Sequence, residues 1–175
     1  LFEQMYGGVS GEILYRPWAK RWSVGVELGW VKQRGFRQLF GFRDYNVVTG
    51  HASFYYDLPF FGLRSVITAG QYLAGDRGVT FKFSRRFKNG VRVGAFSTFT
   101  NVSAADFGEG SFDKGFYVKI PMQLFLTRNT KQEAFFGFRP LTRDGGQKVG
   151  MGPSLFELVD RGNYGDIHRL WRTID

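Results

Sequence analysis

Alternation with a period of two constrains this chain more than any other feature, because only an extended strand sends successive side chains to opposite faces. Trp22, Val24, Val26, Leu28 and Trp30 interleave with Ser23, Gly25, Glu27, Gly29 and Val31. The rhythm precedes them in residues 5–16 and returns at 48–57, weakly at 63–72, and again at 79–86 and 91–100. Two further strands are expected at 115–126 and 133–141. In the clearest segment aromatics close both ends of the apolar stripe with aliphatics between them, the girdle pattern of a lipid-facing strand.

No run approaches the roughly 18 apolar residues of a spanning helix. A chain that enters lipid without one must close its backbone hydrogen bonds between strands, as a barrel does. Aromatics at 18% and 24 glycines suit such a sheet better than an ordinary globular domain. Connection lengths add a second cue. Those at 17–21, 58–62, 88–90 and 128–132 are short, whereas those at 35–45, 73–78 and 101–114 are longer. Alternate short and long connections are the habit of outer-membrane barrels. The pair Asn89-Gly90 predicts a tight type I′ hairpin. Carried through, this rhythm leaves both ends of the strand region on the external side, so a larger barrel, of which this is a part, is expected.

The tail reads differently. Ser154-Leu155-Phe156-Glu157 has capping-box spacing after Pro153, with Leu155, Leu158 and Val159 at helical spacing. Asp166 is placed to cap a second helix carrying Ile167, Leu170, Trp171 and Ile174. The expected architecture is all-β: an antiparallel transmembrane β-barrel of about 8 or more strands over 1–143, followed by a short helical tail over 144–175.

Catalytic constellations are weak. His51, Ser53 and Asp57 share one strand parity, but same-face neighbours lie roughly 6.5–7 Å apart, too far for an automatic triad. Polar residues lining a lumen is the better reading, and no enzyme is expected. With no cysteine and two histidines, His51 and His168, no metal site or cofactor is expected either. Asp106, Glu109 and Asp113 lack the order of an EF-hand loop. Residues 142–147 (TRDGGQ) lack the Lys-Ser/Thr of a phosphate loop and read as a glycine-permitted turn.

The net charge of +9 points to an anionic partner. Arg16, Lys82, Arg86, Arg92, Lys119 and Arg139 fall on the parity opposite the apolar stripe, with Glu12, Glu27 and Asp57. In a barrel they face the lumen, where cation rings favour anions or simply pair with the carboxylates. Tyr55, among interleaved aromatics, is a candidate for stacking on sugar rings.

Residues Leu1–Pro17 (LFEQMYGGVSGEILYRP), Phe40–Asp57 (FGFRDYNVVTGHASFYYD), Tyr72–Asp76 (YLAGD), Gly110–Tyr117 (GSFDKGFY) and Arg139–Gln147 (RPLTRDGGQ) resemble the YjbH family of exopolysaccharide and capsule proteins. The resemblance covers most of the chain and corresponds to the C-terminal part of much longer outer-membrane proteins. It implies a role in exopolysaccharide or capsule production, with secretion of the polymer across the outer membrane. The implied partners are an anionic exopolysaccharide, outer-membrane lipid and other secretion proteins, and no nucleic acid. It supplies no catalytic residue. The rival expectations are a soluble basic β-sheet module for carbohydrate or nucleic acid, and a structural barrel that scaffolds secretion partners.

Overall fold

A computed structural model describes residues 5–35, 41–102, 112–126, 130, 132–139, 145–150 and 152–161. Eight strands follow one another: β1 (Tyr6–Tyr15), β2 (Trp22–Arg34), β3 (Phe42–Asp57), β4 (Leu63–Gln71), β5 (Arg77–Arg86), β6 (Arg92–Thr100), β7 (Asp113–Pro121) and β8 (Glu133–Phe138). Each pairs antiparallel with the next, giving one meandering sheet in chain order. A helix, α1 (Leu155–Arg161), follows.

Among the described residues β1 and β8 do not pair, so the sheet is open at both edges. It is nonetheless strongly curved. Helix α1 is seven residues long, about 10 Å at 1.5 Å per residue. Yet it touches Glu12 at the end of β1, Arg64 of β4 and Lys119 of β7. In a flat sheet β1 and β7 would stand roughly 29 Å apart at 4.8 Å per strand. The sheet therefore wraps around the helix as a trough.

The two faces are sorted in reverse of a water-soluble protein. One residue of each strand in turn, Ile13, Leu28, Val48, Ile67, Phe81, Phe99, Phe116 and Phe136, lies on the convex face and is exposed. Among the described residues the buried apolar side chains are Val31, Tyr72, Val149 and Phe156, whereas Ser23, Thr49, His51, Ser53, Ser84, Thr98, Asp113 and Asp160 are buried polar ones. Eight strands of about nine residues span on the order of 1,000 Å², well above the apolar patch a soluble monomer ordinarily exposes.

Several local expectations are corrected. Strand β3 begins at Phe42, inside the expected 35–45 loop, and pairs there with Arg34 at the end of β2 through a register shift at Lys32/Arg34. Strand β7 stops at Pro121, and after a last bond from the Met122 N–H to Gln132 O at 2.9 Å the chain enters a 3-10 turn (Met122–Leu124). The 122–132 connection then matches the 101–112 one in length class, and 72–76 is as short as 58–62. Connection length thus does not assign sides to the sheet. The β5–β6 turn is closed by the Gly90 N–H donating to Phe87 O, with Gly90 at φ 88° and Asn89 not left-handed. This is a type I turn with a glycine bulge rather than a type I′ turn, which requires two left-handed residues. The Asp166 helix and His168 lie outside the described residues.

Candidate functional site

The concave face is built by strand register. Arg86 stands directly opposite Arg92, and Arg92 directly opposite Lys119, so three cations form a row across β5, β6 and β7. Like charges placed this way repel. A row of hydroxyls runs parallel to it: Ser53 bonds Thr68 at 2.9 Å, and Thr80 bonds Thr98 at 2.8 Å. Toward β1, Glu12 faces Glu27 across the β1–β2 pair.

Segment 145–161 supplies the compensation. Asp160 accepts two parallel bonds from Arg64, Nη1 to Oδ2 and Nη2 to Oδ1, both at 2.7 Å. Arg92 Nη2 donates to the same carboxylate at 3.1 Å. Glu157 receives Lys119 Nζ at 3.2 Å. On the acidic side, the Leu155 N–H donates to Glu12 at 2.8 Å, and Lys148 Nζ donates to Glu27 at 2.6 Å. Ser154 caps α1 through the Glu157 N–H at 3.2 Å, the bond expected from its spacing. Phe156 lies on Tyr55 with ring centroids 3.8 Å apart and planes 7° from parallel. Arg64 covers its ring at 4.7 Å, and Arg16 at 5.7 Å. Burial pushes the Asp160 carboxyl up, but the hydrogen bonds and charge of Arg64, reinforced by Arg92, hold it down at about 2.

Beside the helix a cavity of about 460 Å³ remains, lined among others by Tyr55, Lys82, Phe96, Tyr117, Lys119 and Phe135. Lys82 projects into it with no ion pair to a described residue. Arg86 lines a smaller hollow of about 190 Å³ beside Asp57, Arg64 and Arg92. Arg139, just past β8, forms a two-pronged pair with Asp113 and covers Phe96 at 5.8 Å. Thus Arg16, Tyr55, Lys82, Arg86, Arg92, Lys119 and Arg139 all belong to the concave side, and Arg92, Lys119 and Arg139 each meet a carboxylate there.

Sequence reasoning missed Arg64, Phe156, Glu157 and Asp160. The hairpin around 58–62 offered one signal, since it sets Arg64 opposite Asp57, and the two are ion-paired. The hydrolase-like set is dispersed. Asp57 goes to Arg64, Ser53 to Thr68, and His51 packs edge-on against Tyr72 with centroids 5.0 Å apart. Among the described residues no group of three His, Cys, Asp or Glu is arranged to hold a metal ion. Asp106 and Glu109 lie outside them. In the expected glycine turn, Gly146 has φ 67° and its N–H donates to Asp76 at 2.8 Å. A Cβ there would stand 2.9 Å from the Thr98 methyl group.

The comparison with known families bears on a chain whose face is built this way. A family model named YjbH, described as exopolysaccharide biosynthesis protein YbjH, matches residues 1–161. The chain belongs to the YjbH family. A relative in Escherichia coli (strain K12), an uncharacterized lipoprotein YjbH, is 44% identical over 162 residues. The match takes in 90% of this chain and 23% of the relative, so the chain spans about a quarter of that protein's length. No solved structure matches.

Proposed function

We propose that this YjbH-family sheet is part of an outer-membrane β-barrel that serves exopolysaccharide production by helping an anionic polymer cross the envelope. The carrying observation is the reversed sorting of its faces. The convex side is apolar on every strand, and the concave side holds hydroxyls, carboxylates and a cation row. Lipid is the solvent in which that arrangement lowers the free energy. Support for the polymer comes from the description of the matching family and from the cations and aromatics around the cavity. The Escherichia coli relative's description as a lipoprotein agrees with an envelope location. The proposed role is non-catalytic, with an acidic polysaccharide, lipid and other secretion proteins as partners.

The test is refolding from urea with and without detergent micelles, followed by far-ultraviolet circular dichroism and heat-dependent gel mobility. Sheet that forms only in micelles, with a mobility shift on boiling, is expected. Cooperative folding in plain buffer would leave the soluble carbohydrate-binding module as the better reading. For the polymer, reversal of charge at Arg86 and Arg92 together is expected to lower export from cells that keep normal amounts of folded protein. Undiminished export would remove the concave cations from the transport path.

A further inference from the structure

The cation row is a property of strand register and would exist without α1, whose carboxylates meet it from the other side. The pattern of groups on the helix is specific. One guanidinium, that of Arg64, lies over the Phe156 ring at 4.7 Å and holds the Asp160 carboxylate at 2.7 Å. Phe156 and Asp160 are four residues apart and so share a helix face. A parallel aromatic platform, Tyr55, stacks on the same ring. The next acidic group, Glu157, meets the next cation, Lys119. A six-membered ring stacked by one face on a tyrosine, with a carboxylate held beside it by arginine and a second carboxylate further on, is also what adjoining uronic-acid sugars present. Aromatic faces stack on sugar rings, and forked guanidinium groups select carboxylates.

We propose that Tyr55, Arg64, Arg92 and Lys119 form a binding site for a uronate-type acidic polysaccharide, which α1 occupies as an internal mimic and vacates when polymer arrives. The inference rests on the functional reading above and adds the substrate class and a built-in occupant. Lys82 and the adjoining cavity, which the helix leaves open, give polymer a first foothold beside the occupied site. Exchange of one set of carboxylates for another keeps the cation row neutralised throughout, so neither the docked nor the loaded state leaves bare like charges facing one another.

The test uses the intact protein that carries this chain, extracted in detergent, with oligogalacturonate as the acidic probe and dextran oligosaccharide as the neutral one. Leu158 is 50% exposed on the far side of α1. The Leu158→Cys substitution, with reactive cysteines elsewhere in the intact protein replaced by serine, gives this cysteine-free stretch a spin-label position that leaves the docked face untouched. Oligogalacturonate is expected to mobilise the label, and dextran to leave it still. Apparent affinity scales with the fraction of open sites, so Asp160→Asn should tighten oligogalacturonate binding by up to about tenfold if the helix is docked nine-tenths of the time. Tyr55→Ala with Arg64→Gln should abolish that gain.

A label that stays still at saturating oligogalacturonate, an Asp160→Asn protein that binds no tighter, or an equal response to dextran would each overturn the proposal. Failure of the two readings is separable. A protein that folds only in micelles yet keeps its label still refutes the mimicry alone. One that folds in plain buffer yet mobilises the label refutes the membrane reading alone.

Discussion

Arg64 is the residue on which most of the concave face depends. Its side chain is 14% exposed and serves Asp57, Asp160 and the Phe156 ring at once. Removing one partner of a buried ion pair is costly because the other charge stays buried without compensation. Arg64→Ala is expected to destabilise the folded protein by about 3 kcal/mol or more, measured by denaturant unfolding in micelles. Arg64→Lys should recover only part of this, since an ammonium group cannot make the parallel two-bond contact or lie flat on the ring. An Arg64→Lys protein as stable as the parent would show that charge alone matters there. Little of this was legible beforehand. Charge parity picked out Arg92, Lys119 and Arg139, while Arg64 sits in a weakly alternating strand whose pattern gave no reason to look. Its cross-strand position opposite Asp57 was the readable clue.

At the scale of elements, strands were read well and the helix face was not. Alternation located the strands because each has one apolar and one polar face, and a single reversed parity would have broken the stripe. The ends moved where local geometry overrides pattern: a 3-10 turn takes over from β7 after Pro121, and a register shift against β2 lets β3 begin at Phe42. In α1 the apolar residues Leu155, Leu158 and Val159 fall at helical spacing. Phe156, Glu157 and Asp160 make the contact instead, and Leu158 and Val159 are exposed. A helix normally turns its apolar stripe inward because the core is apolar, and here the surface it meets is a row of cations.

The docking of α1 is expected to depend on pH in one direction. The Asp160 carboxyl, ordinarily at 3.8, is held at about 2 when docked. A depressed value means that the pair's contribution is complete above about pH 4 and drains away as pH falls toward 2. Glu12, Asp57 and Glu157 also face this contact and are present in either form of the test. A spin label at Leu158→Cys should therefore loosen between pH 4 and 2, with a smaller change in that window when Asp160 is Asn. Equal profiles for the two proteins would assign the transition to the other carboxylates.

Across the whole molecule, the outward apolar face was the most readable property and closure the least. The first follows from side-chain parity, which sequence carries directly. Closure depends on which edges meet, and no residue pattern encodes that for an isolated pair of strands. The membrane reading has a sharp consequence for Val26, midway along the stripe between Trp22 and Trp30 and 44% exposed. Val26→Arg should lower folding stability by about 2–4 kcal/mol if that position faces the middle of a bilayer. If the face meets water, the same substitution should change stability by no more than about 0.5 kcal/mol. Titration of folding into vesicles against denaturant distinguishes the two.

The open edges also set a rule of arithmetic for any ring that contains this sheet. Because every neighbour is antiparallel among the eight described strands, β1 and β8 run in opposite directions. If they met directly, the seam would be antiparallel like every other pairing. Strands inserted between them must reverse direction one after another, so only an even number preserves that pattern around the full circle. A lone extra strand would force one parallel seam, and two, four or more would not. Whatever completes such a ring therefore adds strands in even number.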